Sequence, residues 1–451
     1  MIRARLRPVE AKRILRFLIL LSLVGATVVG ATVGQKQSSP SATKLVSLKV
    51  TGTTRYNDKE ILAASGLQIG QLAADGDFKE AVQRLGNSGL FSGVMYSFTS
   101  SGKDVKLELQ LTDVDESKLV PAHFDNFVWF TDDELTRELQ KRVPLFKMLL
   151  PISGNLPDRV SEGLQSILSD RQFPGRVDYL REGDEAGGAL HGIDYHVEEV
   201  GITIRDVEFP GASPEQAALL ATAARGLKGA EYRRASLAAV ARFDLLPVYR
   251  HRGYLKAAFA PSDARVLPQP AAADPQDRAQ VEVDAIIPAT PGKIYSTSGV
   301  AWKGNSALGA AEVAPLIHLP VGQPADAVTL LRDIESVSKL YRSRGYMTVQ
   351  IKPDAQLDDE KSTVHYDLNV VEGDLYKMGE LEILGLDTQT TAHMQAAWAL
   401  RQGQPYNADY PNKFRTETGK LLPRGVQWTI TVHESLEKDK TVDVEIRFKQ
   451  Q

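Results

Sequence analysis

The 451-residue chain contains no cysteine. That absence excludes a disulfide scaffold, cysteine-ligated zinc, iron–sulfur clusters and a thiol nucleophile. A strong charge of one sign is also missing: 53 basic residues stand against 57 acidic ones, a net charge of −4. A nucleic-acid binder relying on a basic surface is therefore not expected. Enzyme signatures are lacking too, with no Gly-x-Ser-x-Gly, Walker loop, Gly-x-Gly-x-x-Gly or His-Glu-x-x-His. The closest histidine pair, His191 and His196, has odd spacing on an alternating segment, which points the two to opposite faces and predicts solvated strand residues rather than a metal site. Asp132, Asp133, Glu134 and Glu138 read as a helix start, with Thr131 and Glu134 as a capping box and Lys141 and Arg142 completing a charged face. No catalytic residue, metal or cofactor is expected.

Long apolar runs are absent except one. Arg3, Arg5, Arg7, Lys12, Arg13 and Arg16 face a single Glu10, a net +5, and residues 17–34 carry no charge. This order reads as an export signal. Eighteen residues also reach the lower limit for a membrane-spanning helix, so an uncleaved anchor is the alternative. Gly25, Gly30 and Gly34 weaken the spanning reading. Without this segment the net charge is −9. Residues 35–43 (QKQSSPSAT) form a polar linker.

What is present is a repeat. Val46, Leu48 and Val50 alternate as a half-buried strand before Gly52, and Asn57 and Asp58 offer helix caps. Phe78, Val82 and Leu85 mark a second helix stopped at Gly89. Val94, Tyr96 and Phe98, then Val105, Leu107, Leu109 and Leu111, give two more strands. The order strand, helix, helix, strand, strand returns later. Gly89, Gly253, Gly345 and Gly425 end successive second helices at intervals of 164, 92 and 80 residues. The first interval is twice 82 and predicts a degenerate copy near residue 171, where Leu164, Ile167 and Leu168 precede Gly175. Gly322-Gln323-Pro324 and Gly403-Gln404-Pro405 repeat 81 residues apart. The long interval contains a Pro/Ala-rich insertion at 261–278, expected to be a flexible hairpin loop. At the junctions, Val371-Glu372-Gly373-Asp374-Leu375-Tyr376 and Pro291-Gly292-Lys293-Ile294-Tyr295 each precede a strand ending in Gly. Such short junctions allow limited bending, not free rotation.

Together, Val-Glu-Gly-Asp-x-Tyr, the strand ending in Gly, Gly-Gln-Pro, and Tyr-x-x-x-Gly-Tyr before an alternating strand resemble the POTRA (polypeptide-transport-associated) domain. The resemblance covers most of the chain, is strongest in the fourth and fifth units and weakest in the second, where 145–157 depart from the pattern. It implies an α+β fold, a linear array of five βααββ units, each a three-stranded mixed sheet under two helices. The units would span 45–116, 117–200, 201–292, 293–374 and 375–451, after a signal or anchor at 1–34 and a linker at 35–44. In outer-membrane barrel assembly factors such arrays precede a 16-stranded barrel. At about 10 residues per strand a barrel needs well over ~160 residues, and the fifth unit reaches Gln451. No barrel is expected.

The resemblance implies a periplasmic protein, or one on the periplasmic face of the outer membrane, with inner-membrane anchoring through 17–34 as the alternative. Its partners would be outer-membrane β-barrel precursors, assembly-complex proteins or a separately encoded barrel. A sheet this small leaves a strand edge with unpaired N–H and C=O groups, to which an extended client can add. The family places that edge on the second strand: Val94, Tyr96 and Phe98; Val177 and Tyr179; Leu255, Ala257 and Phe259; Met347, Val349 and Ile351; and Val426, Trp428 and Ile430. Trp129, Trp302, Trp398 and Trp428 are expected as core or junction pieces. The basic triplets before Gly253 and Gly345 are expected to meet helix C-termini.

Overall fold

The computed structural model describes residues 42–183, 189–268, 280–418, 422 and 427–450. The basic and apolar N-terminal segment, most of the linker, the tip of the Pro/Ala insertion, Gly425 and Val426 lie outside the described residues. The expected linker ends early, since Thr43 already belongs to the first strand.

The first sheet is built by β1 (Thr43–Thr51), α1 (Asp58–Ser65), β2 (Leu72–Ala73), α2 (Asp75–Asn87), β3 (Phe91–Ser101) and β4 (Asp104–Asp113). Asn57 starts α1 because its side chain accepts from the Lys59 and Glu60 amides while Glu60 accepts from the Asn57 amide at 2.8 Å. The helical crossover brings β4 back parallel to β1, and the β3–β4 hairpin is antiparallel. The strand order is therefore β2-β1-β4-β3. The second sheet repeats it with β5 (Leu119–Phe124), α3 (Asp132–Arg142), β6 (Leu149–Pro151), α4 (Leu156–Asp170), β7 (Arg176–Gly183) and β8 (Leu190–Glu198), ordered β6-β5-β8-β7.

The third segment runs β9 (Gly201–Glu208), α5 (Pro214–Ala223), α6 (Arg234–Val240), a π turn at Ala241–Leu245, α7 (Leu246–Arg250), β10 (Ala258–Phe259), β11 (Asp263–Val266), β12 (Gln280–Ile286) and β13 (Ala289–Thr290). Its sheet is ordered β11-β12-β9, with β10 and β13 paired apart. The fourth has β14 (Ser296–Lys303), α8 (Ala310–Val313), α9 (Ala327–Ser343), β15 (Gln350–Asp358) and β16 (Thr363–Val371), ordered β14-β16-β15. The fifth has β17 (Lys377–Leu384), α10 (Thr388–Ala397), α11 (Tyr410–Thr418), β18 (Trp428–Leu436) and β19 (Thr441–Gln450), ordered β17-β19-β18. In all five mixed sheets the first strand lies parallel to the last long strand.

Each sheet buries one face. Val364, Tyr366, Leu368 and Val370 of β16 are buried, as are Val442, Val444, Ile446 and Phe448 of β19, each alternating with more accessible residues. The expected three-stranded layout needs correction in the first two sheets, where the segment between the helices adds a short fourth strand. Elsewhere that segment makes a lesser version of the same pairing. Gly322 and Thr297 bond at 2.8 Å, Thr297 and Gln323 at 2.9 Å, and Gly403 and Met378 at 2.8 Å. The Gly-Gln-Pro recurrence marks this interhelix cap.

Successive segments are bonded in register. The Tyr295 amide donates to the Gly253 carbonyl at 2.8 Å, and the Ala325 amide to the Tyr295 carbonyl at 2.8 Å. One segment later, the Tyr376 amide donates to Gly345 at 2.9 Å and the Tyr406 amide to Tyr376 at 3.0 Å. Gly345 has φ +96, and a methyl group there would lie 2.7 Å from the Tyr376 carbonyl oxygen. His251, from the basic triplet, reaches Asp326 at 2.7 Å rather than its own helix end, whereas Arg252 does donate to the Val248 carbonyl within its own helix. The divergent stretch 145–157 touches the first sheet: Tyr56 Oη donates to the Leu145 carbonyl at 3.0 Å, Lys147 pairs with Glu60 at 3.1 Å, and Asn155 donates to Asn87. The first two sheets consequently share one hydrophobic cluster from Leu45 to Val197.

Gly385 follows β17 with φ +88, and a methyl group there would lie 1.8 Å from the Phe448 carbonyl oxygen. Gly385→Ala should lower the stability of the fifth sheet by about 1–3 kcal/mol. The check is an earlier urea midpoint in the fluorescence of the full chain, with the amide exchange of β16 unchanged.

Candidate functional site

Each mixed sheet has two edges, and they differ. The first-strand edge is capped at its start by the interhelix segment. The first strand is also bulged there against its parallel partner, with register shifts between Leu45 and Ser47, Thr297 and Gly299, and Met378 and Leu381. Bulges and short cover blunt an edge. The second-strand edge has no interhelix segment on it, although β3 and β7 are each bulged near one end. Among the described residues, β3, β7, β11, β15 and β18 each pair with a strand on one side only.

The structure places Val94, Tyr96 and Phe98 on β3, Val177 and Tyr179 on β7, Phe259 on β10, Ile351 on β15, and Trp428 and Ile430 on β18. Val426 lies outside the described residues. Four other expected residues are not on an edge strand. Leu255 lies in a turn and packs into the fourth segment's core, and Ala257 is buried ahead of β10. Met347 lies in a turn packed on the fifth core, and Val349 precedes β15. The reason is local. After Gly253 and Gly345 the chain makes one more tight turn (Ala257 onto Tyr254, Val349 onto Tyr346, each by a backbone bond) before it extends. The third segment departs further: Pro261 separates β10 from β11, β10 pairs with β13, and β11 pairs with β12. Residues 263–266 of the insertion are thus strand, not loop. Reading missed the outer residues 352–358 of β15 because Pro353 masks the strand pattern.

Aromatic rings line the helix side of β3. Phe98, 45% exposed, lies 5.4 Å from Phe78 of α2 and stacks with Tyr96 at 6.4 Å. The Tyr96 hydroxyl donates to Asp75 at 2.6 Å. Lys79 first and this hydroxyl second hold the Asp75 carboxyl below its usual range. On β7 the Tyr179 hydroxyl likewise donates to Asp158 at 2.6 Å. Trp428 packs into the fifth core, where Trp398 meets Phe414 edge-on at 4.9 Å. Trp129 stacks on Phe173 at 5.0 Å and touches the second and third cores, while Trp302 packs in the fourth segment.

The remaining polar candidates resolve into structure. Glu138 pairs with Lys141 and Arg142, as the charged-face reading expects. The capping box is only half formed, since Thr131 accepts from the Glu134 amide while the Glu134 carboxylate holds Arg171 at 2.9 Å. Asp132 and Arg234 pair across to the third segment. His196 corrects the solvated reading: it is 5% exposed, with Nε2 3.4 Å from Glu198. Among the described residues, no group of three or more His, Asp or Glu could hold a metal ion.

Asp194 on β8 stands beside the β7 edge, opposite Leu180 and His123. Burial, then the charges of Asp125 and Glu182, push its carboxyl up from 3.8 to about 6, against the pull of His196 and His123. Its Oδ1 is buried without a hydrogen-bond partner. A folded state that holds this proton more tightly than the unfolded chain gains stability as pH falls through about 6 toward 3.8 and loses it above. Asp194→Asn should therefore be more stable than the parent at pH 8, with the difference shrinking as pH drops below about 6. Urea titrations of both chains across that range check it.

Residues 295–373 match the POTRA family model, described as surface antigen variable number repeat. Among solved structures, POTRA3-5 of BamA from Haemophilus influenzae is 16% identical, with 55% of this chain and 96% of that chain covered and a TM-score of 0.42. The N-terminal domain of Omp85 from Thermosynechococcus elongatus is 17% identical, with 55% and 97% covered and a TM-score of 0.23. POTRA1-3 of the periplasmic domain of Omp85 from Anabaena is 15% identical, with 55% and 95% covered and a TM-score of 0.24. The segment that builds β14, α8, α9, β15 and β16 is a POTRA domain.

Proposed function

We propose that the whole chain is an array of five POTRA-type βααββ units, at 45–116, 117–200, 201–292, 293–374 and 375–451, exported to the periplasmic side of a diderm envelope. It holds extended segments of outer-membrane β-barrel precursors, or docks assembly-complex proteins or a separately encoded barrel, through second-strand edges. Its activity is non-covalent. One observation carries this reading: in each mixed sheet the second strand is paired on one side only among the described residues. An incoming strand supplies the missing hydrogen bonds, each worth about 0.5–1.5 kcal/mol net. One short edge binds weakly, and several on one chain gain by effective concentration. The POTRA match at 295–373 supports the assignment of the units that share its topology.

A second reading has its own support. The bonded junctions at Gly253–Tyr295 and Gly345–Tyr376 suit a semi-rigid spacer between membrane and envelope partners, anchored through 17–34. No helix among the described residues is long and apolar enough to cross a membrane. N-terminal sequencing of the protein from its own envelope separates the two, an intact Met1 favouring the spacer.

The client-holding reading is tested by photocrosslinking in the cell from Ser97 of β3 and Thr431 of β18. The expected products are β-rich clients or assembly proteins. Crosslinks confined to the chain itself would remove the idea.

A further inference from the structure

The second-strand edges are unequal, and the differences form a pattern along the chain. From Phe91 to Ser101, β3 carries no charged residue and no proline. β18 is nine residues long, also without proline, and its Glu434 carboxylate is already taken by the Tyr406 hydroxyl at 2.7 Å. The other three edges carry the features by which sheets refuse a visiting strand. β7 holds Arg176, Asp178, Arg181 and Glu182 within eight residues, and Arg176 reaches Glu198 at 2.6 Å. β15 presents Lys352, Pro353 and Asp354 in succession, all exposed. Its ladder to β16 is unbroken from Gln350 to Asp358. A proline fits within such a ladder where its nitrogen faces away from the partner, so the missing donor falls on the free side. In the third segment, Pro261 leaves only a two-residue and a four-residue strand, too short to template a partner.

We infer that partner strands pair only with the outermost sheets, along 94–101 of β3 and along β18, and that the three middle sheets are closed by their own sequence. This rests on the strand-pairing reading above and specifies its sites. It also specifies the partner's chemistry: an uncharged strand, free of proline, with apolar side chains at alternate positions. Those side chains lie against Phe98, 45% exposed, on the first sheet. A charged residue there would lose water without gaining a free counter-ion, since β3 carries no charge and Asp75 beside it is already held by Lys79 and the Tyr96 hydroxyl.

The test uses the full chain and a synthetic peptide of about ten residues alternating valine or tyrosine with threonine, the length of one strand. Amide hydrogen exchange reads the pairing. Exchange at 94–101 and in β18 should slow about tenfold, while β7 and β15 stay unchanged. Ser97→Lys should abolish the slowing at β3 and leave it at β18, which also reports that the chain is folded. Combining Lys352→Thr, Pro353→Val and Asp354→Thr should open the β15 edge to the peptide. Protected core amides in β16 confirm folding, and Pro353→Thr alone serves if the triple variant fails. Equal slowing of β15 in the unaltered chain would overturn the selectivity while leaving strand pairing intact. No slowing at any edge would overturn strand pairing itself.

Discussion

The parallel pairing of each sheet's first strand with its last is the constraint from which the other features follow. Two helices separate the first strand from the second, and the second pairs antiparallel with the third. The third strand carries the densest apolar alternation, as in Val105, Leu107, Leu109 and Leu111, all buried. It must therefore take the centre, where both neighbours and the helices cover it. The first strand reaches its other side only through the helical crossover, which sets it parallel. The second strand is left outside. An open edge is thus a consequence of the order of elements and not of any particular edge residue.

What the edge residues decide is how open it stays. A free row of amide and carbonyl groups threatens aggregation as much as it permits binding. The chain answers differently at each position: charges on β7, a break at Pro261, and Lys352-Pro353-Asp354 on β15, against the bare β3. The first-strand edges share one answer, the interhelix cap, joined by a bulge at the strand start in the first, fourth and fifth sheets. Protection that is uniform on one side and individual on the other fits a fold that keeps one edge closed and adjusts the other.

Much of this was legible in the sequence because it depends on local pattern. The alternation of Val442, Val444, Ile446 and Phe448, the Gly at helix ends and the Gly-Gln-Pro spacing each follow from strand pleat, left-handed φ or turn geometry. The edge residues were legible where no further turn follows the helix cap, as at Val94 and Val177. They failed at Leu255, Ala257, Met347 and Val349, where a further turn, closed by Ala257 onto Tyr254 and Val349 onto Tyr346, intervenes before the strand. The burial of His196 and the purpose of 145–157 depend on neighbouring sheets, which no local period encodes.

That last stretch bears on size. A sheet covered on one face by two short helices buries only a small core. The first two sheets enlarge it by merging their apolar clusters, with Tyr56, Lys147 and Asn155 sealing the contact. The third to fifth keep separate clusters and meet through paired backbone bonds at Tyr295 and Tyr376, with one apolar side chain, Leu255 or Met347, reaching into the next core. Two such bonds, at about 1 kcal/mol each, fix register without the area that would forbid bending. The second and third segments are also tied, by Val128 and Trp129 in the third core and by Asp125 with Arg233 and the Ala235 amide, so bending between sheets should concentrate after β13 while the first three sheets move together.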